Sequence, residues 1–166
     1  MSQETEGSSA AANQTTVERT SDRELVVKRT FDAPANVVFD AWSKPAVFTS
    51  WWVPQSVALS LLSCDMDIRT GGTYRLVFSH PAAEQPMAFF GTYTEVTPNT
   101  RLVWTNEESD QGAVTTVTFE ESGGKTLLTL HERYPSEEAR DEAFASSAEA
   151  LPEQFLQLDE VLASRS

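Results

Sequence analysis

Pro135 to Ser166 (PSEEARDEAFASSAEALPEQFLQLDEVLASRS) is the stretch that decides the fold of this 166-residue chain. Ser136 predicts an N-cap, and the apolar residues after it recur at spacings of 4, 3, 4, 3 and 4, as on one face of an α-helix. These residues are Phe144, Ala148, Leu151, Phe155, Leu158 and Leu162. Pro152 lacks an amide hydrogen, so it predicts a kink or a break. The chain therefore ends in a long amphipathic helix.

The sequence before that helix predicts strands that alternate with short turns. Glu24 to Phe31 is the first strand, and two short helices follow it, starting near Asp32-Ala33-Pro34 and at Pro45. Six further strands are predicted at Val57–Ile68, Thr73–Ser79, Met87–Val96, Arg101–Thr105, Ala113–Glu120 and Lys125–Glu132. Their short connections indicate antiparallel pairing, so the predicted class is α+β.

Composition bounds the rest of the organisation. Residues 1–22 contain one valine among Ser, Thr, Glu, Gln and Ala, which predicts a disordered N-terminal tail before a domain at 23–166. No apolar stretch resembles a signal peptide or a membrane span, and Cys64 is the single cysteine. An internal disulfide is therefore excluded, and a cytoplasmic location is expected.

The chain is strongly acidic. Its 25 acidic and 12 basic residues give a net charge of −13. Such a field repels nucleic acids and anionic lipid surfaces, so we expect neither nucleic-acid binding nor membrane insertion. Neutral and cationic small molecules remain compatible with it.

Polar residues give little sign of catalysis or metal binding. The two histidines, His80 and His131, lie 51 positions apart, so no metal site or cofactor is expected. His131 ends the last strand and is better explained as an edge residue paired with a carboxylate than as a proton donor or acceptor. No catalytic constellation is visible, and the groups best suited to proton transfer are His131, Glu95 and Tyr93.

Several motifs in register resemble the START-like (SRPBCC) superfamily, specifically the branch related to the C-terminal domain of the activator of heat-shock protein 90 ATPase. They are Arg29-Thr30-Phe31-Asp32-Ala33-Pro34, Val38-Phe39-Asp40-Ala41-Trp42, Trp51-Trp52-Val53-Pro54, Asp67 to Arg75, Phe90 to Val96 and Leu128 to Tyr134. The resemblance implies a helix-grip fold, in which a curved antiparallel sheet of six or seven strands wraps the C-terminal helix. One departure is Ala150-Leu151, where relatives usually carry a Gly-Trp pair.

The resemblance also implies a cavity between sheet and helix that binds hydrophobic molecules such as lipids or sterols. Strand alternation places Phe89, Gly91 and Tyr93 on one face, but the rings fit core packing as well as a pocket. The expected ligand contacts are Trp52, Tyr74, Phe78, Phe89, Tyr93, Trp104 and Leu151. An apolar small-molecule carrier is the leading hypothesis. The alternatives are a cyclase or dehydratase, a chaperone or stress-response interaction module, and a weak homodimer.

Overall fold

Eight antiparallel strands form one curved, open sheet in the computed structural model, which describes residues 15–53, 56, 59–107 and 112–165. The strands are β1 (Thr16–Ser21), β2 (Glu24–Phe31), β3 (Ser60–Met66), β4 (Thr73–Ser79), β5 (Met87–Thr97), β6 (Arg101–Thr105), β7 (Val114–Ser122) and β8 (Lys125–Arg133). Their order is β1-β2-β8-β7-β6-β5-β4-β3. Residues 57–58 of the strand predicted at Val57–Ile68 lie outside the described part, as do the side chains at 146–149 and 165.

The predicted disordered tail is wrong for its last residues, because Thr16–Ser21 form strand β1 on the edge of β2. Strand pairing uses the backbone, so it does not require the apolar side chains that this segment lacks. Val17 packs against the core, and the Arg19 guanidinium lies 4.8 Å from the Phe144 ring centroid. Residues 1–14 of the predicted tail lie outside the described residues.

Two short helices connect β2 to the far edge of the sheet. They are α1 (Ala35–Ser43) and α2 (Pro45–Trp51), and Lys44 between them is extended because residues before proline avoid the helical conformation. The Trp51 indole donates to the Ala41 carbonyl at 2.9 Å, which ties the helices together. The predicted pair of helices after the first strand is therefore confirmed.

The long C-terminal helix α3 spans Glu137–Arg165 and continues through Pro152 without a break. Ser136 caps it, since its hydroxyl accepts a hydrogen bond from the Ala139 amide at 3.1 Å. The described residues of the predicted apolar stripe face the sheet, and Phe155 and Leu158 are fully buried. The helix therefore lies across the inner face of the sheet, as the helix-grip arrangement requires.

Alternation along the strands sets which side chains face α3. Leu25, Val27, Arg29 and Phe31 point inward from β2, and the same period-two pattern continues through β4, β7 and β8. Gly91 on β5 has no room for a side chain, because a Cβ would lie 1.7 Å from the Thr105 carbonyl oxygen. The backbone of β6 therefore requires glycine at this position.

Candidate functional site

A cavity of about 220 Å³ lies between the β3–β6 half of the sheet and the three helices. We call it the aromatic cavity. Inward-facing side chains of β4, β5 and β6 form its floor, and Trp42 and Trp52, from α1 and the residue after α2, close its other side. It is lined by six of the seven predicted ligand contacts, namely Trp52, Tyr74, Phe78, Phe89, Tyr93 and Trp104.

A second cavity of about 270 Å³ lies beneath α3 at the end of β8. We call it the acidic cavity because Glu132 lines it. Ala143 and Ala150 present small side chains from the helix, which leaves the space open. Leu151, the seventh predicted ligand contact, lines this cavity and not the aromatic one.

The two cavities share a wall made of Trp52, Trp104, Asn106 and Gln154, each of which borders both spaces. The Gln154 amide donates a hydrogen bond to the Trp52 carbonyl, and the Gln157 amide donates to the Val53 carbonyl at 2.8 Å. Helix α3 therefore fixes the segment that carries Trp52. The aromatic and acidic cavities are therefore neighbours that share these four residues.

A chain of hydrogen bonds runs from one cavity to the other. The Tyr74 hydroxyl lies 3.0 Å from the Thr105 carbonyl oxygen and 3.2 Å from Asn106 Oδ1. Asn106 Nδ2 donates to Thr115 Oγ1 at 3.1 Å, and Thr115 Oγ1 donates to Glu132 Oε2 at 3.0 Å. The polar side chains of Tyr74, Asn106, Thr115 and Glu132 thus hold one another in fixed positions. The Trp42 indole nitrogen, by contrast, is buried without a hydrogen-bond partner among the described residues.

Glu132 is the group that the sequence-based list of site residues missed. Its Oε1 accepts a hydrogen bond from the Tyr134 hydroxyl at 2.7 Å, and burial raises the pKa of Glu132 more than this bond and that from Thr115 lower it. The signal was present in the strand alternation, because the pattern that turns Leu128 and Leu130 inward turns Glu132 inward as well.

Two of the three predicted proton-transfer groups point away from both cavities. His131 lies on the outer face of β8, where its Nε2 is 2.7 Å from Glu24 Oε2. Glu95 pairs with Val103 after a bulge in β5 and lies 3.5 Å from the Arg101 guanidinium. Neither residue can reach a molecule held between the sheet and α3.

Tyr93 is the proton-transfer candidate that does face a cavity, since it lines the aromatic one. Burial raises the pKa of its phenol far above the usual value, so it remains protonated near neutral pH. Cys64 is partly buried in β3, and desolvation raises the pKa of its thiol as well. Both groups are therefore poor bases and poor nucleophiles in this setting.

Two further findings concern metal and membrane. Within the described ranges, no three His, Cys, Asp or Glu side chains come together as metal ligands would. None of the helices described has the length and apolar character needed to cross a bilayer.

Comparison with known proteins gives a family match over most of the chain. The model of the family described as "Activator of Hsp90 ATPase homolog 1-like protein" matches residues 32–163. No curated protein matches the chain. The match confirms the resemblance that the sequence motifs predicted.

Solved structures with the same fold come from several bacteria. A protein from Rhodobacter sphaeroides is 24% identical with a TM-score of 0.82, covering 91% of this chain and 99% of that one. A protein from Staphylococcus epidermidis is 25% identical with a TM-score of 0.75, covering 91% and 95%. An AHSA1-like protein from Aeromonas hydrophila is 19% identical with a TM-score of 0.68, covering 82% and 92%. The predicted helix-grip fold is confirmed, although the sheet has eight strands where six or seven were expected.

Proposed function

We propose, from the premise that this chain belongs to the family of Activator of Hsp90 ATPase homolog 1-like proteins, that it binds a hydrophobic or amphipathic small molecule between its sheet and α3. The observation that carries the proposal is the aromatic cavity itself. The space is walled by rings and aliphatic side chains with few polar groups, which is the usual composition of a small-molecule site.

The energetics of such a site favour apolar ligands. At about 25 cal/mol per Å² of apolar surface removed from water, a ligand that buries about 300 Å² gains roughly 7.5 kcal/mol before the entropy cost of binding. The lining rings are already held in place by their neighbours, as in the Trp42–Trp104 pair with centroids 6.0 Å apart. Little side-chain ordering is therefore required, which limits the entropy cost of binding.

Exposed apolar side chains at the sheet edge support an entrance to the aromatic cavity. Leu61 pairs with Phe78 across β3 and β4, and the Phe78 ring lies 5.8 Å from the Phe89 ring. Leu61 and Phe89 are both more than a third exposed, although Phe78 is buried. An apolar rim of this kind gives a hydrophobic molecule a continuous path from solvent into the cavity.

A ligand screen tests the proposal. The purified chain is examined by native mass spectrometry and by thermal shift with fatty acids, sterols and aromatic polyketides, and we expect a bound adduct and a raised Tm with at least one class. Leu59→Trp places a large ring in the aromatic cavity, which Leu59 lines, and should lower the affinity at least tenfold.

Leu156→Trp is the matched control, because Leu156 is 56% exposed on α3 and lines neither cavity. The control should bind the ligand as the unaltered chain does. The proposal is abandoned if no compound in the set binds, or if Leu59→Trp and Leu156→Trp bind a hit equally well.

A cyclase or dehydratase activity finds less support than binding. His131 and Glu95 lie outside the cavities, and Tyr93 is held protonated by the burial that raises its pKa. The acid–base groups named for that alternative are therefore either out of reach or poorly matched to neutral pH.

A further inference from the structure

The acidic cavity holds a carboxyl group in surroundings that are otherwise mostly apolar. Leu130, Ala143, Ala150 and Leu151 form part of its wall, and Glu132 is the one side chain with a formal charge among the described residues that line either cavity. An ionised carboxylate in such a place is costly unless a cation or a proton compensates its charge.

No cation from the described part of the chain fills that role. Glu132 accepts hydrogen bonds from two neutral hydroxyls, those of Thr115 and Tyr134, and forms no ion pair. The neighbouring basic side chains, His131 and Arg133, alternate to the outer face of β8, where His131 contacts Glu24. An ion pair with Glu132 would therefore require a cation from outside these residues.

Two features of the same cavity suit a cation. Each carboxylate oxygen of Glu132 accepts one hydrogen bond from the protein, which leaves lone pairs available to another donor. Trp52 and Trp104 line the wall beside it, and indole faces attract ammonium groups. The net charge of −13 further raises the local concentration of cationic molecules.

We propose that the ligand is a cationic amphiphile whose protonated amine pairs with Glu132 in the acidic cavity and whose apolar part fills the aromatic cavity. This inference rests on the proposed binding function and names the chemical class of its ligand. Carboxylate and phosphate compounds are disfavoured, because their charge would be repelled by Glu132 with no cation in the described lining to offset it. Neutral alcohols can form a hydrogen bond there but gain no ion pair.

Three compounds that differ only at one end test this selectivity on the full chain: 4-phenylbutylamine, 4-phenylbutanol and 4-phenylbutanoate. Isothermal titration calorimetry near neutral pH and low salt should give at least tenfold tighter binding for the amine than for the alcohol. The carboxylate should bind weakest. This comparison uses the unaltered chain, so it does not depend on the folding of any variant.

Glu132→Gln keeps the shape of the side chain and removes its charge, and it should lower the affinity for 4-phenylbutylamine at least tenfold. Glu120→Gln is the matched control, because Glu120 is exposed on the outer face of β7 and lines neither cavity. That variant should bind the amine within twofold of the unaltered chain. Circular dichroism checks that both variants are folded.

The outcomes separate the two proposals. Equal affinities for the amine and the alcohol, or an amine affinity that survives in folded Glu132→Gln, overturn the assignment of a cationic ligand and leave the binding function standing. Binding that is tightest for 4-phenylbutanoate likewise overturns the cationic ligand and leaves the binding function standing. Absence of binding by all three compounds and by the wider screen removes the binding function, and the assignment falls with it.

Discussion

The two halves of the sheet face α3 in different ways. The half formed by β2, β8 and β7 packs directly against the helices along most of its length, so that Val27, Val117 and Leu128 are fully buried, and it opens at the end of β8, where the acidic cavity lies. The half formed by β3 to β6 faces the aromatic cavity, and Phe89 on its inner face remains 39% exposed. Close packing therefore fills most of one half, whereas the other half leaves the aromatic cavity open.

The largest loss of stability is expected where β2, β8 and β7 pack against α3. Phe155 is fully buried, with its ring 5.5 Å from Phe31 and 6.3 Å from Trp42. Phe155→Ala should lower the free energy of unfolding by about 3–5 kcal/mol, measured by urea denaturation, because a large cavity replaces the ring. Leu156→Ala, at an exposed position of the same helix, is the control and should cost less than about 0.5 kcal/mol. A loss below about 1.5 kcal/mol for Phe155→Ala would contradict the contrast between the halves.

A smaller effect should arise from the ion pair that joins the packed half to α3. Arg29 is 5% exposed and contacts the Asp159 carboxylate, whose pKa is raised by burial more than Arg29 lowers it. Arg29→Met leaves that carboxylate without its partner, and we expect about 2 kcal/mol of destabilisation at neutral pH.

The loss should shrink in acid, because protonation of Asp159 removes the uncompensated charge. Urea denaturation of both chains at pH 4.5 and pH 7.5 measures the difference. Equal losses at the two pH values would show that Arg29 acts through packing and not through charge.

The acidic cavity offers a test by pH without any ligand. Burial raises the pKa of Glu132 in the folded chain, so its contribution to stability is complete below the ordinary glutamate pKa and is lost as the pH rises through the raised value. The Tm of Glu132→Gln minus the Tm of the unaltered chain should therefore increase as the pH rises from 4 to 7. Differential scanning calorimetry at several pH values gives this difference. A constant gap between the two melting curves would argue that Glu132 is not desolvated.

The smallest effect, on ligand affinity, is expected for a substitution on the outer face of β8. His131→Gln removes the contact with Glu24 but changes nothing that lines either cavity. The affinity for any compound found in the screen should stay within twofold, as measured by calorimetry. A larger change would return His131 to the list of residues that act on the ligand.

Strand alternation in the sequence separates the two faces of the sheet, but it does not say which inward side chains contact the helix and which line a cavity. Phe31 and Phe89 both lie on the inner faces of their strands in the structure, yet Phe31 contacts Phe155 and Phe89 borders the aromatic cavity. That outcome depends on the distance between sheet and helix, which the pattern of one strand does not contain. Because this distance is unknown from the sequence, the sequence alone could not decide whether the inward rings pack as a core or line a pocket.

Two other differences have local causes. Strand β1 was missed because Thr16–Ser21 gain their order from backbone pairing with β2, a contribution that composition does not record. Glu132 was missed because His131, beside it, has the more familiar acid–base side chain, although alternation turns His131 outward. The helix pair, the C-terminal helix and most strands depend on short-range patterns and were predicted close to their observed bounds, but the strand predicted at Val57–Ile68 is observed at Ser60–Met66.

Xenon binding is the most direct test of the cavity in the half of the sheet formed by β3 to β6. An apolar cavity takes up this gas, so the experiment does not require that the natural ligand be known. Methyl NMR spectra of the full chain are recorded under increasing xenon pressure. We predict saturable shifts at Leu59, Leu76 and Leu102, which line the aromatic cavity, and none at Val117, Leu128 and Leu158 in the packed half. Spectra in which no methyl moves, or in which both halves respond alike, would contradict the account.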